Sequence, residues 1–385
     1  HHSMTTIIRT LHLSAPAALL LLFLGCSGGS PVKIEPLSSA FTTAVLTESW
    51  LAIEHDGGVT VMRPDGTDAR FLPGTATESW SPGAVWLGLR VGRGMAAYDP
   101  SNEEMIPLFE NGIFGAWSPD ATNITYTPSR TGGLSEVWIQ EIASGEYRIL
   151  GQGTAVDWSS DGEWIAAVWS PPDLPGGASR WIHLLRTDQS GDVRDLGQLG
   201  GVSQGAFSAD SRWVRYWAGS ALDPKLRAVS VDGTEDLLLH ASLEFGGLTS
   251  WSPTGDDIAF AATPGGFQLY ITSPHRATRT LNAFGVSPRW SPDGAWLGYG
   301  PSPWHPSTPP NAVRVISTRS SQKLLVGETN GSFSWSPDSQ LMAIAAPEGS
   351  SNGIYLVDFK TGEKRRVADG DRVLWSPPIR ELTSP

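Results

Sequence analysis

The stretch WSPDGAWLGYG, Trp290 to Gly300, decides the fold. Its first five residues read as a tight turn and the next six as a strand. Serine is favoured at the start of a type I turn, and proline presets φ at the second position. Aspartate tolerates the third position and caps its own backbone. Glycine can adopt the left-handed conformation that lets the next strand leave in register. The tryptophan ahead of the turn is large and flat. It suits a wedge between packed units, and burying it is worth about 2–3 kcal/mol.

The phrase recurs along the chain. Its leading aromatics are Trp80, Trp117, Trp158, Phe207, Trp251, Trp290, Trp335 and Trp375, spaced 37, 41, 49, 44, 39, 45 and 40 residues apart. Strand-like runs follow each turn, such as VWLGLRV from Val85 and DIAFAA from Asp257. A second strand, a polar turn such as KTGEK and a third strand then lead to the next motif. With the strand that carries the aromatic, each unit holds four strands. A period near forty with this content predicts blades of a β-propeller.

The ends of the chain set the blade count. Trp50 to Leu72 reads as three strands without a motif strand ahead of them, whereas RVLWSP around Trp375 is a motif strand with almost nothing behind it. Joining the two fragments gives an all-β, single propeller of eight four-stranded blades, closed by its N- and C-terminal strands. The alternative is seven blades with one end packed as a cap. The domain is expected over residues 45–380.

The phrase with its following IAF-like strand resembles the repeat of TolB-type propellers, a style shared with propellers of the prolyl oligopeptidase group. The likeness spans about residues 45 to 378. It implies a propeller that is periplasmic and acts through protein partners. TolB-type proteins often carry a separate N-terminal domain, which is not expected here. A fused hydrolase domain is not expected either, since eight residues follow Pro377.

Ahead of the repeat, residues 1–3 read as a tag remnant and 4–25 as a signal peptide, with Arg9 before an apolar stretch from Ala15 to Leu24. FLGC, Phe23 to Cys26, resembles a bacterial lipobox, with Phe23 where that pattern prefers leucine. The resemblance implies lipidation of Cys26, with 26–44 as lipidated cysteine and flexible tether. The alternative is an ordinary secretory signal with an incidental cysteine. The expected location is exported and membrane-anchored, in the periplasm or on the cell surface, with membrane contact through the lipid anchor only.

Composition narrows the partners. The formal net charge of −12 argues against nucleic acid. The chain carries no H-E-x-x-H, Cys/His cluster or P-loop. A serine-hydrolase elbow, a catalytic set, a bound metal and a cofactor are not expected. Arg63–Asp68 and Asp188–Asp195 are oxygen-rich but lack the ligand spacing of a calcium loop, and read as hairpin turns. Three connections on the rim opposite the motif turns read as enlarged: Ser170–Trp181, Pro301–Asn311 and the stretch from Ala221. Trp304 and His305 in the second, and Trp181 in the first, are candidate partner-binding residues. Trp304 could instead fold back onto its own blade, and Trp181 could be an ordinary strand residue. The resulting expectation is a monomeric binding or scaffold module in the cell envelope, whose partner is an envelope protein or a glycan or peptide. The alternative is a propeller enzyme acting on glycans or peptides through channel residues, with Glu48, His55, Asp157, Arg289 and Arg372 as candidates.

Overall fold

The computed structural model describes residues 43–129, 134–169, 180–188, 190–199, 206–220, 223–241, 249–262, 267–301 and 311–378. They form eight four-stranded antiparallel sheets. Seven are contiguous in sequence: blade 1 (75–109), blade 2 (112–152), blade 3 (154–199), blade 4 (206–240), blade 5 (249–284), blade 6 (286–328) and blade 7 (333–369). Blade 8 is composite. It takes Leu51–His55, Gly58–Met62 and Arg70–Pro73 from the start of the domain and Arg372–Trp375 from its end. The expectation of eight blades with a shared closing blade therefore holds, and the seven-blade alternative falls. Among the described residues no helix is long and apolar enough to cross a membrane.

In each sheet the motif strand is the inner one, and motif strands meet between blades 2 and 3, 3 and 4, 5 and 6, and 7 and 8. The core is divided to match. Eight buried apolar clusters are present, and each joins two adjacent blades. One packs Trp335 and Met342 of blade 7 against Val313 and Val315 of blade 6. Another packs Trp117 and Ile124 of blade 2 against Met95 and Ala97 of blade 1. Four of the motif indole nitrogens reach into the preceding blade. Trp290 Nε1 donates to Ser250 O at 2.9 Å, Trp335 Nε1 to Arg289 O at 3.0 Å and Trp117 Nε1 to Ser79 Oγ at 2.9 Å. Each acceptor residue directly precedes the motif tryptophan of the previous blade. Trp80 follows the rule across the closure, donating to Leu374 O at 3.4 Å.

The motif turn is held by its serine. Ser118, Ser159, Ser208, Ser291 and Ser336 are buried, and each Oγ donates to the aspartate two residues on at 2.5–2.6 Å. The same oxygen accepts the backbone N–H five residues on, as from Leu341 to Ser336 at 2.8 Å. The aspartates in turn cap backbone N–H groups, as Asp293 does for Ala295 at 3.0 Å. The last turn position is left-handed in six of seven turns. Glycine fills it at Gly162 and Gly294, but Ala84, Ala121, Ser211 and Ser339 adopt it too, with φ between 57° and 62°. The two serines gain something there. Ser339 Oγ accepts the N–H of Asp293 in the preceding blade at 3.0 Å, and Ser211 does the same for Asp161 at 3.0 Å. A bond between blades offsets the strain of the left-handed residue.

Closure uses the same parts. Leu51 pairs with Trp375 and Glu54 with Arg372 in antiparallel register. Trp375 Nε1 donates to Ser49 Oγ at 2.8 Å, and Trp50 N to Ser376 Oγ at 2.9 Å. One expected loop is corrected. The stretch from Ala221 lies mostly in a strand, Asp223–Ser230, which pairs with Trp213–Ser220. Burial of Leu226, Ala228 and Val229 extends the hairpin through residues whose Asp-Pro text reads as a turn.

Two outcomes are expected in urea unfolding. Ending the chain after Gly370 removes the closing strand, and loss of Trp375 burial alone should cost about 3–5 kcal/mol; an unchanged midpoint would mean that the seam is dispensable. Ser339→Ala keeps the left-handed strain and loses the bond to blade 6, so it should destabilise by about 1 kcal/mol. Ser339→Gly loses the same bond but relieves the strain, and should cost less than half as much.

Candidate functional site

The inner strands carry one motif residue after another to the same face of the ring. There a cavity of about 490 Å³ opens over blades 5 to 8 and blade 1. Its wall is made by five motif tryptophans, Trp80, Trp251, Trp290, Trp335 and Trp375, and by prolines of the turns that follow them. Trp290, Trp335 and Trp375 are buried and Trp80 and Trp251 half-buried, so mainly ring edges reach the cavity. Ser250, Ser334 and Ser376 add hydroxyls, and among the described residues Arg289 is the one charged member of the lining. Blades 3 and 4, whose motifs read W-S-S and F-S-A without proline, lie outside this arc.

The channel candidates separate once placed. Asp157, Arg289 and Arg372 lie on inner strands of blades 3, 6 and 8. His55 does not: it lies on the second strand of blade 8, stacks on Phe71 at 5.1 Å and bonds Thr60 Oγ1 at 2.7 Å. Glu48 is exposed just after a short helix, Thr43–Thr47.

Asp157 stitches two blades. Its Oδ2 accepts the N–H of Phe207 in blade 4 at 2.7 Å, and its Oδ1 accepts that of Trp158 at 2.9 Å. Burial pushes its carboxyl up to about 6, against the opposing pull of those hydrogen bonds and of Arg215. Arg215, on the second strand of blade 4, bonds Thr249 of blade 5, while its Nε is buried with no partner among the described residues. Burial pushes its guanidinium down to about 10. Arg215 escaped the sequence reading, although a charge inside the apolar run RWVRYW was the available signal.

Arg372 donates to Glu54 Oε1 at 3.2 Å and to Thr77 O at 3.1 Å. Arg289 donates to Phe333 O at 2.9 Å and lies over the Phe333 ring at 5.0 Å. Among the described residues it has no carboxylate within ion-pair distance. Burial first, and then the Arg372 charge, hold it below the ordinary guanidinium range. Among the described residues no three His, Cys, Asp or Glu side chains are grouped to hold a metal. The two oxygen-rich stretches are hairpin turns where described: Asp65 caps Thr67 N at 2.8 Å and Asp188 caps Ser190 N at 3.1 Å.

On the opposite rim, Trp181 is half-buried in a strand, Arg180–Arg186, directly across from Trp169. Trp169 packs edge-on to His183 at 4.7 Å, and His183 Nδ1 meets Asp195 Oδ1 at 2.9 Å. Trp304 and His305 lie outside the described residues, as does Cys26. One motif needs correction. Gly201-Val202-Ser203-Gln204-Gly205 has the G-x-S-x-G spacing of a nucleophile elbow and lies outside the described residues. An elbow leads into a helix, whereas here the motif strand Ala206–Phe207 follows at once.

No protein-family model matches the chain, and no curated protein does. Solved structures do. Dipeptidyl peptidase 4 of Porphyromonas gingivalis is 12% identical with a TM-score of 0.60, over 84% of this chain and 58% of that one. Oligogalacturonate lyase of Vibrio parahaemolyticus is 11% identical with a TM-score of 0.54, over 81% and 92%. TolB of Acinetobacter baumannii is 14% identical over 85% and 81%, with a TM-score of 0.42. At these identities the likeness is one of fold, and the fold carries unrelated activities.

Asp157 makes a pH test possible. Its folded value near 6 exceeds the unfolded value of about 4, so the folded state holds this proton more tightly. The group's contribution to stability is therefore greatest below about pH 4 and falls as pH rises towards 6. In blade 7, Ser334 Oγ at the equivalent position accepts Trp375 N at 2.9 Å, so serine can do the stitching without titrating. The stability of the wild type relative to Asp157→Ser should drop by about 1–2 kcal/mol between pH 4 and 6.5, allowing for water access from the channel. A pH-independent difference in urea midpoints would remove Asp157 from this role.

Proposed function

We propose that the chain is a binding propeller of the bacterial envelope, exported and held by a lipid on Cys26, which takes a protein partner at the aromatic mouth of its motif face. The observation that carries this reading is the composition of that mouth: tryptophan edges, prolines, serines and a single arginine. Such a surface is apolar, concave and stiff. Proline and buried indoles lose little freedom on binding, which lowers the cost of association. The FLGC text at Phe23–Cys26 supports the anchor. Trp181 on the opposite rim is the second place a partner would touch, and Trp304 and His305 remain candidates on the sequence alone.

The catalytic alternative draws on Asp157, a carboxyl raised towards neutrality near the channel. Both of its oxygens already hold backbone N–H groups. This favours a structural carboxylate over a general acid or base.

The test is site-specific photo-cross-linking in the native envelope. A cross-linker at Pro253, exposed at the mouth, should yield one discrete protein adduct. A cross-linker at Leu325, exposed on the outer strand of blade 6, should yield none. Equal labelling at both positions, or none at Pro253, would defeat the mouth as the docking face.

A further inference from the structure

We infer that the mouth recognises the free C-terminal carboxylate of a peptide whose last residues are apolar, with Arg289 as the anion-binding residue. The inference rests on the proposed binding role and names the chemistry of what is bound.

Three observations lead there. First, Arg289 is the one charged residue of the cavity wall, and among the described residues it has no carboxylate partner. Its one hydrogen-bond acceptor there is the carbonyl of Phe333, which leaves guanidinium donors over. The side chain still has access to solvent, although protein surrounds it on most sides. A cation that is open on one side within a concave wall suits an incoming anion. The Arg372 charge nearby is paired with Glu54 at 3.2 Å, so among the described residues the unpaired cation at the wall is Arg289, in a protein whose net charge is −12. Second, the remainder of the wall is apolar. Indole edges and proline rings suit an aliphatic or prolyl side chain, and a cavity near 490 Å³ has the size of a small-ligand pocket. Third, the wall offers few hydroxyls, those of Ser250, Ser334 and Ser376, and two of them already accept one hydrogen bond each. Ser376 Oγ accepts Trp50 N and Ser334 Oγ accepts Trp375 N, both at 2.9 Å. A sugar acid would bring many hydroxyls to a wall with few free partners, and unpaired polar groups are costly to bury. A chain terminus brings one anionic group and an apolar body.

The experiment is calorimetric titration of the full chain with an N-acetylated hexapeptide ending Pro-Pro-Leu with a free carboxylate. The same peptide amidated at its C-terminus, and trigalacturonate, are titrated beside it. The acid peptide should bind, and amidation should weaken it about 10- to 100-fold, the loss expected for hydrogen bonds to a charged group. Arg289→Gln should weaken the acid peptide by a similar factor and leave the amide unchanged. Arg289→Lys should recover part of the loss. Urea midpoints of the variants report folding separately. Equal binding of acid and amide, or tighter binding of trigalacturonate than of the acid peptide, overturns the inference. Failure of the acid peptide to bind also overturns it, while an adduct at Pro253 would then leave the binding role standing. If the Pro253 adduct is absent as well, both fall.

Discussion

An indole reaching backwards into the preceding blade is the contact on which this ring depends. A four-stranded sheet with two apolar faces cannot shelter them alone, and the structure gives each sheet a neighbour on both sides. The motif aromatic fills that gap, and Trp80, Trp117, Trp290 and Trp335 each fasten the indole nitrogen to the residue ahead of the previous motif, as Trp335 does at Arg289 O. Because the eight clusters each span two blades, no blade owns a complete core. Stability is a property of adjacency, which repeat architectures share. The turn serines and the bonds from Ser211 and Ser339 to the preceding turn reinforce the same joint from outside.

Much of the fold was legible because the motif is local chemistry repeated. Serine, proline, aspartate and a left-handed residue specify one turn from five adjacent letters, and eight copies give the blade count. The composite blade was legible for a related reason: three strands lacked a partner at one end, and a single motif strand remained at the other. The hairpin around Asp223 was not, because Asp-Pro text outweighed a burial pattern spread over Leu226, Ala228 and Val229. A tertiary preference overrode a local one there.

The candidate site was less legible, and the cause is geometric. Asp157, Arg215 and Thr249 come from three blades, and no linear spacing announces that they approach one another. The mouth is built from motif residues whose structural duty masks their shared surface. Reading each tryptophan as a wedge was right for its ring face and silent about its edge. Arg289 was visible as a charge before a motif tryptophan, but that no carboxylate among the described residues pairs with it is a fact of three dimensions.

The composite blade also dictates when folding can finish. Leu51 waits for Trp375, so the earliest strand of the ring in chain order has its inner neighbour supplied by the latest. Contacts of such long range place the entropy of loop closure at the end of the pathway and slow it. The ring therefore stays open until the strand that carries Trp375 has been made.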